Sequence, residues 1–172
     1  MSVSTRPPEA DVLCLDNQMC FPIYAASNLL GRVYRPLLEP LGLTYSQYLV
    51  MLVLWQADPV HVGDLARRLH LDSGTITPLL QRMERLGLLT RRRDADDERR
   101  VVVRLTPQGT ALRDRAVQVP TALADRILDR FGADTAESLR VDLLRLVRIL
   151  SDELDGAGSC WFGPMTDASS NP

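Results

Sequence analysis

The chain is expected to be mainly α with one small β hairpin, and three features of its middle third carry that expectation. Val62, Leu65, Ala66 and Leu69 recur at i, i+3, i+4 and i+7, the spacing of a helix with one apolar stripe. Ile76, Leu79, Leu80 and Met83 repeat the pattern, and only His70 to Gly74 separate the two, enough for a tight turn between helices that share a small core. Leu88 to Arg93 and Arg100 to Leu105 then read as strands, since Val101, Val103 and Leu105 alternate with Arg100, Val102 and Arg104. Two short helices followed by a hairpin make a winged helix-turn-helix, here with N- and C-terminal dimerisation helices on either side.

Taken in order, residues 1–12 read as a flexible arm rich in Pro, Ser and Glu. A first helix is expected from Asp16 or Asn17, either a fair N-cap, to about Leu38. Along it Met19, Ile23, Ala26, Leu30, Val33 and Leu37 alternate in steps of four and three, the seam of a helix that packs on another helix. The neighbouring stripe holds Cys20, Tyr24, Ser27, Gly31 and Tyr34. Pro22 is compatible only with the early part of that helix. The start therefore lies close to Cys20, where unpaired backbone N–H groups favour an anion.

Glu39 to Leu43 breaks the pattern, and Thr44 with Gln47 forms a capping box for a helix from Tyr45 to about Gln56. Its packing face is expected to hold Leu49, Leu52, Val53 and Gln56 beside Tyr45 and Tyr48, with Trp55 as a large buried anchor. The second helix of the helix-turn-helix leaves Ser73, Thr75, Thr77, Gln81, Arg82 and Arg85 facing outward, the short hydrogen-bonding groups and cations that a major-groove helix presents. Pro78 disagrees with a helix that starts near Ser73, so a distortion is expected there. Gly87 is its expected stop. The wing connection, Asp94 to Arg99, is acidic except for its last residue, and Arg99 near the tip is placed to enter a narrow minor groove.

Thr106-Pro107 opens a further helix through Leu112, Ala116 and Val119, with a kink expected at Pro120 and a continuation through Leu123 and Ile127. Asp134 and Glu137 read as another capping box, before a last helix that presents Leu139, Leu143, Leu146, Leu150 and Leu154. The expected organisation is one domain over 13–155, with dimerisation helices at 13–43 and 107–155, the winged helix-turn-helix at 44–106, and a mobile tail at 156–172.

The formal charge of the 172 residues is −2, which speaks against a uniformly basic coat, but its distribution is uneven. Residues 61–104 hold ten arginines against seven carboxylates, a net of +3, whereas residues 151–172 hold four carboxylates and no arginine. Double-stranded DNA is thus the expected partner, met by the middle of the chain. No apolar run has the length of a membrane span and the first residues lack a hydrophobic signal core, so a cytoplasmic protein without a membrane partner is expected. In a reducing compartment Cys14, Cys20 and Cys160 are free thiols by default. There is no CxxC and no zinc-finger spacing, and His61 and His70 read as ordinary residues flanking a helix; no metal site and no cofactor is expected.

The order of helices, the wing with Asp97-Glu98-Arg99 before a Val-rich strand ending in Leu105-Thr106, and the flanking helices resemble the MarR family of winged-helix regulators. Within it, Leu15-Asp16-Asn17-Gln18-Met19-Cys20-Phe21, Tyr24, Tyr34 to Leu38, Leu43-Thr44-Tyr45 and Leu71 to Thr75 are similar to the organic-hydroperoxide-sensing repressors, the OhrR branch. The resemblance spans about residues 12–150 and implies a homodimer on an inverted-repeat operator. It implies Cys20 as the redox-sensing cysteine, with Tyr34 and Tyr45 bonded to its sulfur across the dimer interface and Tyr24 as a third aromatic nearby. Asp97 falls in the family's wing motif as a structural residue. Ser46 stands where the family pattern has proline, and Cys160 is a candidate resolving thiol in an unusual place. A thiolate attacks an O–O bond to give a sulfenic acid, and apolar walls near Phe21 would suit an organic hydroperoxide. Two alternatives stay open: a regulator of the same fold released by a small aromatic ligand, and a thiol peroxidase, against which stands the lack of an alternating strand and helix pattern.

Overall fold

The computed structural model describes residues 13–156, with the backbone alone at 125, 126, 128 and 129; the expected arm, Cys160 and the tail beyond Gly156 lie outside the described residues. The chain divides within one helix into a first unit that ends at Leu123 and a second that starts at Ala124. Its helices are α1 (Cys20–Leu38), α2 (Tyr45–Gln56), α3 (Val62–Arg68), α4 (Ser73–Arg85), α5 (Pro107–Ala116), α6 (Gln118–Phe131) and α7 (Ala133–Gly156). Strands β1 (Val60–His61), β2 (Leu89–Arg93) and β3 (Val101–Leu105) form one antiparallel sheet in the order β1-β3-β2.

α1 starts later than the expected Asp16 or Asn17. Leu15–Asn17 make a separate 3-10 turn, closed by the Asn17 N–H on the Cys14 carbonyl at 3.1 Å, and Met19 leads into the helix without a side-chain cap. Cys20 becomes the first helical residue and Pro22 the third, where a missing N–H removes no ladder bond. Past Leu38, Gly42 at φ +68° reverses the chain, and its N–H bonds to the Glu39 carbonyl while that of Leu43 bonds to Leu38.

The Thr44–Gln47 capping box is present: the Thr44 N–H donates to Gln47 Oε1 at 2.8 Å and the Gln47 N–H to Thr44 Oγ1 at 3.4 Å. The expected single packing face of α2 is incorrect. Tyr48, Val50, Met51, Val53 and Leu54 are all buried, Leu49 and Leu52 are half-buried and Gln56 is exposed. The cause is position: α2 packs on α1, α4 and α5 together, so it is apolar almost all round. Trp55 is half-buried and donates its Nε1–H to the Gly109 carbonyl at 3.0 Å.

Leu65 from α3 and Ile76, Leu80 and Met83 from α4 are fully buried in the same core, with Leu38, Leu89 and Val103. α4 is capped by Asp72, whose Oδ1 accepts the Thr75 N–H at 2.8 Å, and it runs through Pro78 to Arg85. Its end is a left-handed cap: Gly87 at φ +71° donates to Glu84, and the Leu88 N–H reaches back to Met83 at 3.1 Å. β1 is too short for its sequence to alternate, and it enters the sheet by pairing Val60 with Val103 and His61 with Val102. β2 and β3 pair from Leu89 with Leu105 to Arg93 with Val101.

Thr106 caps α5 by accepting the Gly109 N–H at 3.1 Å, and its hydroxyl donates to the Gly87 carbonyl at 2.6 Å. The kink expected at Pro120 falls earlier. α5 ends at Ala116, and Pro120 sits in the first turn of α6, where proline is accommodated without loss. In the second unit the Asp134–Glu137 capping box is replaced: α7 begins after Gly132, whose carbonyl takes the Ala136 N–H, and the Glu137 carboxylate pairs with Arg140 at 2.6 and 2.8 Å. Leu139, Leu143, Leu150 and Leu154 on α7 are exposed and Leu146 is half-buried.

Candidate nucleic-acid interface and thiol site

Burial of Ile76, Leu79, Leu80 and Met83 fixes which side of α4 faces out. Ser73, Thr75, Gln81, Arg82 and Arg85 are exposed on that side, and Thr77 is half-buried at its edge. At 3.6 residues per turn, Gly74, Pro78, Gln81 and Arg85 share the ridge opposite the core. Gly74 and Pro78 carry no hydrogen-bonding side chain, so a search for polar groups passes over them; the helical period alone places them there.

The wing connection is built by its own carboxylates. The Asp94 N–H bonds to the Arg100 carbonyl at 2.9 Å, and the Arg100 N–H to that of Asp97 at 2.9 Å. Asp97 Oδ1 accepts the Arg99 N–H at 3.0 Å, so the residue shapes the tip while the Arg99 side chain stays exposed. Arg92 and Arg104 are exposed on one sheet face. Arg91 is occupied instead: Glu84 accepts its N–H at 2.8 Å and its guanidinium at 2.9 and 3.0 Å, tying α4 to β2. The Arg91 N–H, with the guanidinium behind it, holds the Glu84 carboxyl below the usual glutamate range. Seven residues separate the two across a turn, a spacing without periodic signature.

Cys20 is exposed at the start of α1, and Cys14 is exposed before the 3-10 turn. Tyr24, one turn along, is 68% exposed. Tyr34 and Tyr45 meet with ring centroids 4.6 Å apart, and Tyr48 joins at 5.9 Å from Tyr34 and 6.3 Å from Trp55. Burial, then the neighbouring Tyr45 and Tyr48, pushes the Tyr34 phenol up to about 12, and burial raises Tyr45 and Tyr48 as well. All three therefore remain O–H donors at neutral pH. Tyr48 was expected only on the packing face of α2 and not beside the other two tyrosines, because its ring reads as ordinary core. A recess of about 480 Å³ lies beside this cluster, lined by Gly31, Arg35, Leu43, Thr44 and Tyr45. The structure does not bring Cys20 to Tyr34 within one chain: 14 positions along one helix separate them by about 21 Å.

Residues 32–115 match the transcriptional regulator SarA/Rot family. The organic hydroperoxide resistance transcriptional regulator of Bacillus subtilis is 40% identical over 140 residues, covering 81% of this chain and 94% of that protein. AbfR of Staphylococcus epidermidis superposes with a TM-score of 0.67 at 33% identity, over 80% of this chain and 94% of AbfR. AbfR has been seen reduced on DNA, overoxidised on DNA and with a disulfide formed. A Mycobacterium tuberculosis transcriptional regulator in complex with DNA gives a TM-score of 0.71 at 26% identity, over 79% of this chain and 98% of that one. The Bacillus subtilis and Mycobacterium tuberculosis proteins are both transcriptional regulators. By these likenesses in sequence and fold, the chain belongs to the MarR family of winged-helix, DNA-binding transcriptional regulators, in the branch of the organic hydroperoxide resistance regulators.

Proposed function

We propose that the protein is a cytoplasmic, homodimeric repressor that holds an inverted-repeat operator while Cys20 is reduced and releases it when an organic hydroperoxide oxidises that residue. The carrying observation is the separation just described. A solvent-exposed thiol and a cluster of protonated phenols lie at opposite ends of one helix. An antiparallel α1 from a second copy would put the partner's thiol against Tyr34 and Tyr45, next to the recess. Dimerisation is further supported by apolar residues left open within one chain: Met19 at 73% and Ile23 at 38% exposure on α1, and Leu139, Leu143, Leu150 and Leu154 on α7. A soluble chain does not leave such faces to water without a partner.

In this reading the Cys20 thiolate attacks one peroxide oxygen, the O–O bond breaks, and a proton completes the alcohol; sulfur is oxidised to a sulfenic acid and the peroxide reduced. Phenol O–H groups from Tyr34 and Tyr45 hydrogen-bond the thiolate, and Tyr24 borders the site. The sulfenic acid then condenses with a second thiol, releasing water and forming a disulfide. Cys160, Cys14 and a small-molecule thiol are the candidates for that step. Dimerisation belongs to 13–43 and 107–155, and DNA reading to 44–106. There Ser73, Thr75, Thr77, Gln81, Arg82 and Arg85 contact the major groove and Arg99 the minor groove.

The test is binding of the reduced protein to DNA from upstream of its own gene, with cumene hydroperoxide titrated against wild type and Cys20→Ser. Release of wild type alone is expected. Equal behaviour of the two proteins would make Cys20 structural and favour the second reading, a small ligand held in the recess beside Tyr45.

A further inference from the structure

One polar cluster outside both sites ties the wing to the body of the first unit. His61, which ends β1 and immediately precedes α3, has a carboxylate at each ring nitrogen: Asp94 Oδ2 lies 2.5 Å from Nε2 and Asp64 Oδ2 3.5 Å from Nδ1. Asp94 opens the wing connection. Its N–H is bonded to Arg100 and its Oδ1 accepts the Asp96 N–H at 2.9 Å, so displacing Asp94 displaces the base of the loop that carries Arg99. Asp64 belongs to α3 and also meets Arg67 at 3.0 Å and Arg100 at 3.4 Å. A second recess, distinct from the one beside Tyr45, is lined by His61 and Asp94 together with Arg92, Arg93 and Arg104. The His61 and Asp94 side chains are 28% and 19% exposed, which limits screening by water.

A neutral imidazole has one N–H and can donate to one of these carboxylates; the imidazolium donates to both and offsets their mutual repulsion. We propose that His61 is the positioning residue of the wing: protonated, it clamps Asp94 to Asp64 and holds Arg99 in place for DNA, and neutral, it lets one carboxylate go and operator affinity falls. This rests on the reading of Arg99 as a groove contact. The hydrogen bond from His61 also holds the Asp94 carboxyl below the usual aspartate range, so the wing side of the clamp stays charged.

Operator affinity of the reduced protein, measured by fluorescence anisotropy between about pH 8 and about pH 5.5 at constant ionic strength, tests the clamp. Wild type is expected to bind about three- to tenfold tighter at the acid end. His61→Gln and Asp94→Asn should lose most of that gain, although His70, the chain's other histidine, is kept in both. At the acid end Arg99→Ala should weaken wild type several-fold and the His61→Gln protein much less. A constant loss at every pH, with Arg99→Ala equally costly in both backgrounds, would mean that His61 only supports the fold, and the proposal falls. If Arg99→Ala costs wild type nothing, the groove contact fails and the clamp with it. Should His61→Gln not fold by circular dichroism, Asp94→Asn decides, since it keeps an oxygen facing the imidazole and removes only the charge.

Discussion

Gly109→Ala tests how tightly α5 packs against the turn between α4 and β2. Gly109 is the third residue of α5, and a Cβ there would lie 2.0 Å from the Leu88 carbonyl oxygen, 3.0 Å from its carbon and 3.2 Å from Leu105 Cδ2. Neither side yields easily. Leu88 is pinned by its N–H on Met83 and by the Thr106 N–H on its oxygen at 3.1 Å, and α5 by the Thr106 cap. Relief requires a backbone shift of about 1 Å, and overpacking of this kind costs about 1–3 kcal/mol. Loosening the Thr106 cap adds about 1 kcal/mol, as does losing the Trp55 bond to Gly109; the better helix propensity of alanine returns about 1 kcal/mol. The net expectation is a destabilisation of about 2–4 kcal/mol. Urea unfolding at matched protein concentration measures it, because dimerisation would make stability concentration-dependent. Ala111→Gly, on the exposed side of the same helix, should lose only about 1 kcal/mol and serves as the control. A Gly109→Ala protein within about 0.5 kcal/mol of wild type would refute the close approach of α5 to Leu88.

Tyr34→Phe should leave operator affinity near wild type while slowing Cys20 oxidation and blunting release, read by stopped-flow peroxide consumption and by anisotropy; normal kinetics would remove Tyr34 from the site. Asp72 caps α4, and its carboxyl is held below the ordinary aspartate value chiefly by the hydroxyl and N–H of Thr75. Its contribution to stability is thus complete above that ordinary value and is lost as pH falls through the lower folded one. The melting-temperature gap between wild type and Asp72→Ala should be constant near neutrality and close in acid. Arg99→Ala should lower the slope of log affinity against log salt by about 1 per contact. Arg91→Ala should leave the slope unchanged, because Glu84 already occupies that guanidinium. Leu143→Glu with Leu150→Glu should give a monomer by analytical ultracentrifugation with weakened operator binding; an unchanged dimer would move the interface off α7.

Helices α3 and α4 were legible because each buries one stripe. The residues at the 3.6 period in α4, Ile76, Leu79, Leu80 and Met83, are the ones the core takes up. Gly42 and Gly87 marked chain reversals that do require a positive φ. The reversal at the end of α3 falls on His70 at φ +51°, where a non-glycine residue gives no such signal. β1 escaped for a different reason: two residues cannot show alternation, and only the partners Val102 and Val103 define the strand. The seam expected on α1 is exposed at Met19, Ile23, Ala26 and Val33 within one chain, because a periodic apolar stripe reads the same for a core and for a face that a second copy would cover. The stripe on α1 links Cys20 to Tyr24 and Tyr34 by period alone, and the helix keeps Cys20 about 21 Å from Tyr34; only the resemblance of the motif proposes Tyr34 and Tyr45 as partners of the thiol.

The tyrosine cluster and the end of α4 are joined by a short series of contacts. Tyr34 and Tyr45 stack beside Tyr48, Tyr48 meets Trp55 edge-on, and Trp55 donates to the Gly109 carbonyl. Gly109 lies in the turn that Thr106 caps, and the Thr106 hydroxyl holds the Gly87 carbonyl at the end of α4. Contact is not coupling; a series like this transmits a change only through an element with two arrangements that both ends can bias. The start of α5 is the place where the two ends of the series converge, and on the proposed function it is the element such a change would have to act on. Thr106 joins the last strand of the wing to the end of the reading helix, and Gly109 allows the approach to Leu88 only without a side chain. On the proposed reading, a partner's Cys20 that becomes a disulfide no longer fits against Tyr34 and Tyr45. Moving those rings pulls at Trp55, and the first groups to follow are those that set the angle between α4 and the wing. Release would then need no unfolding of the reader, only a change in how two intact elements meet.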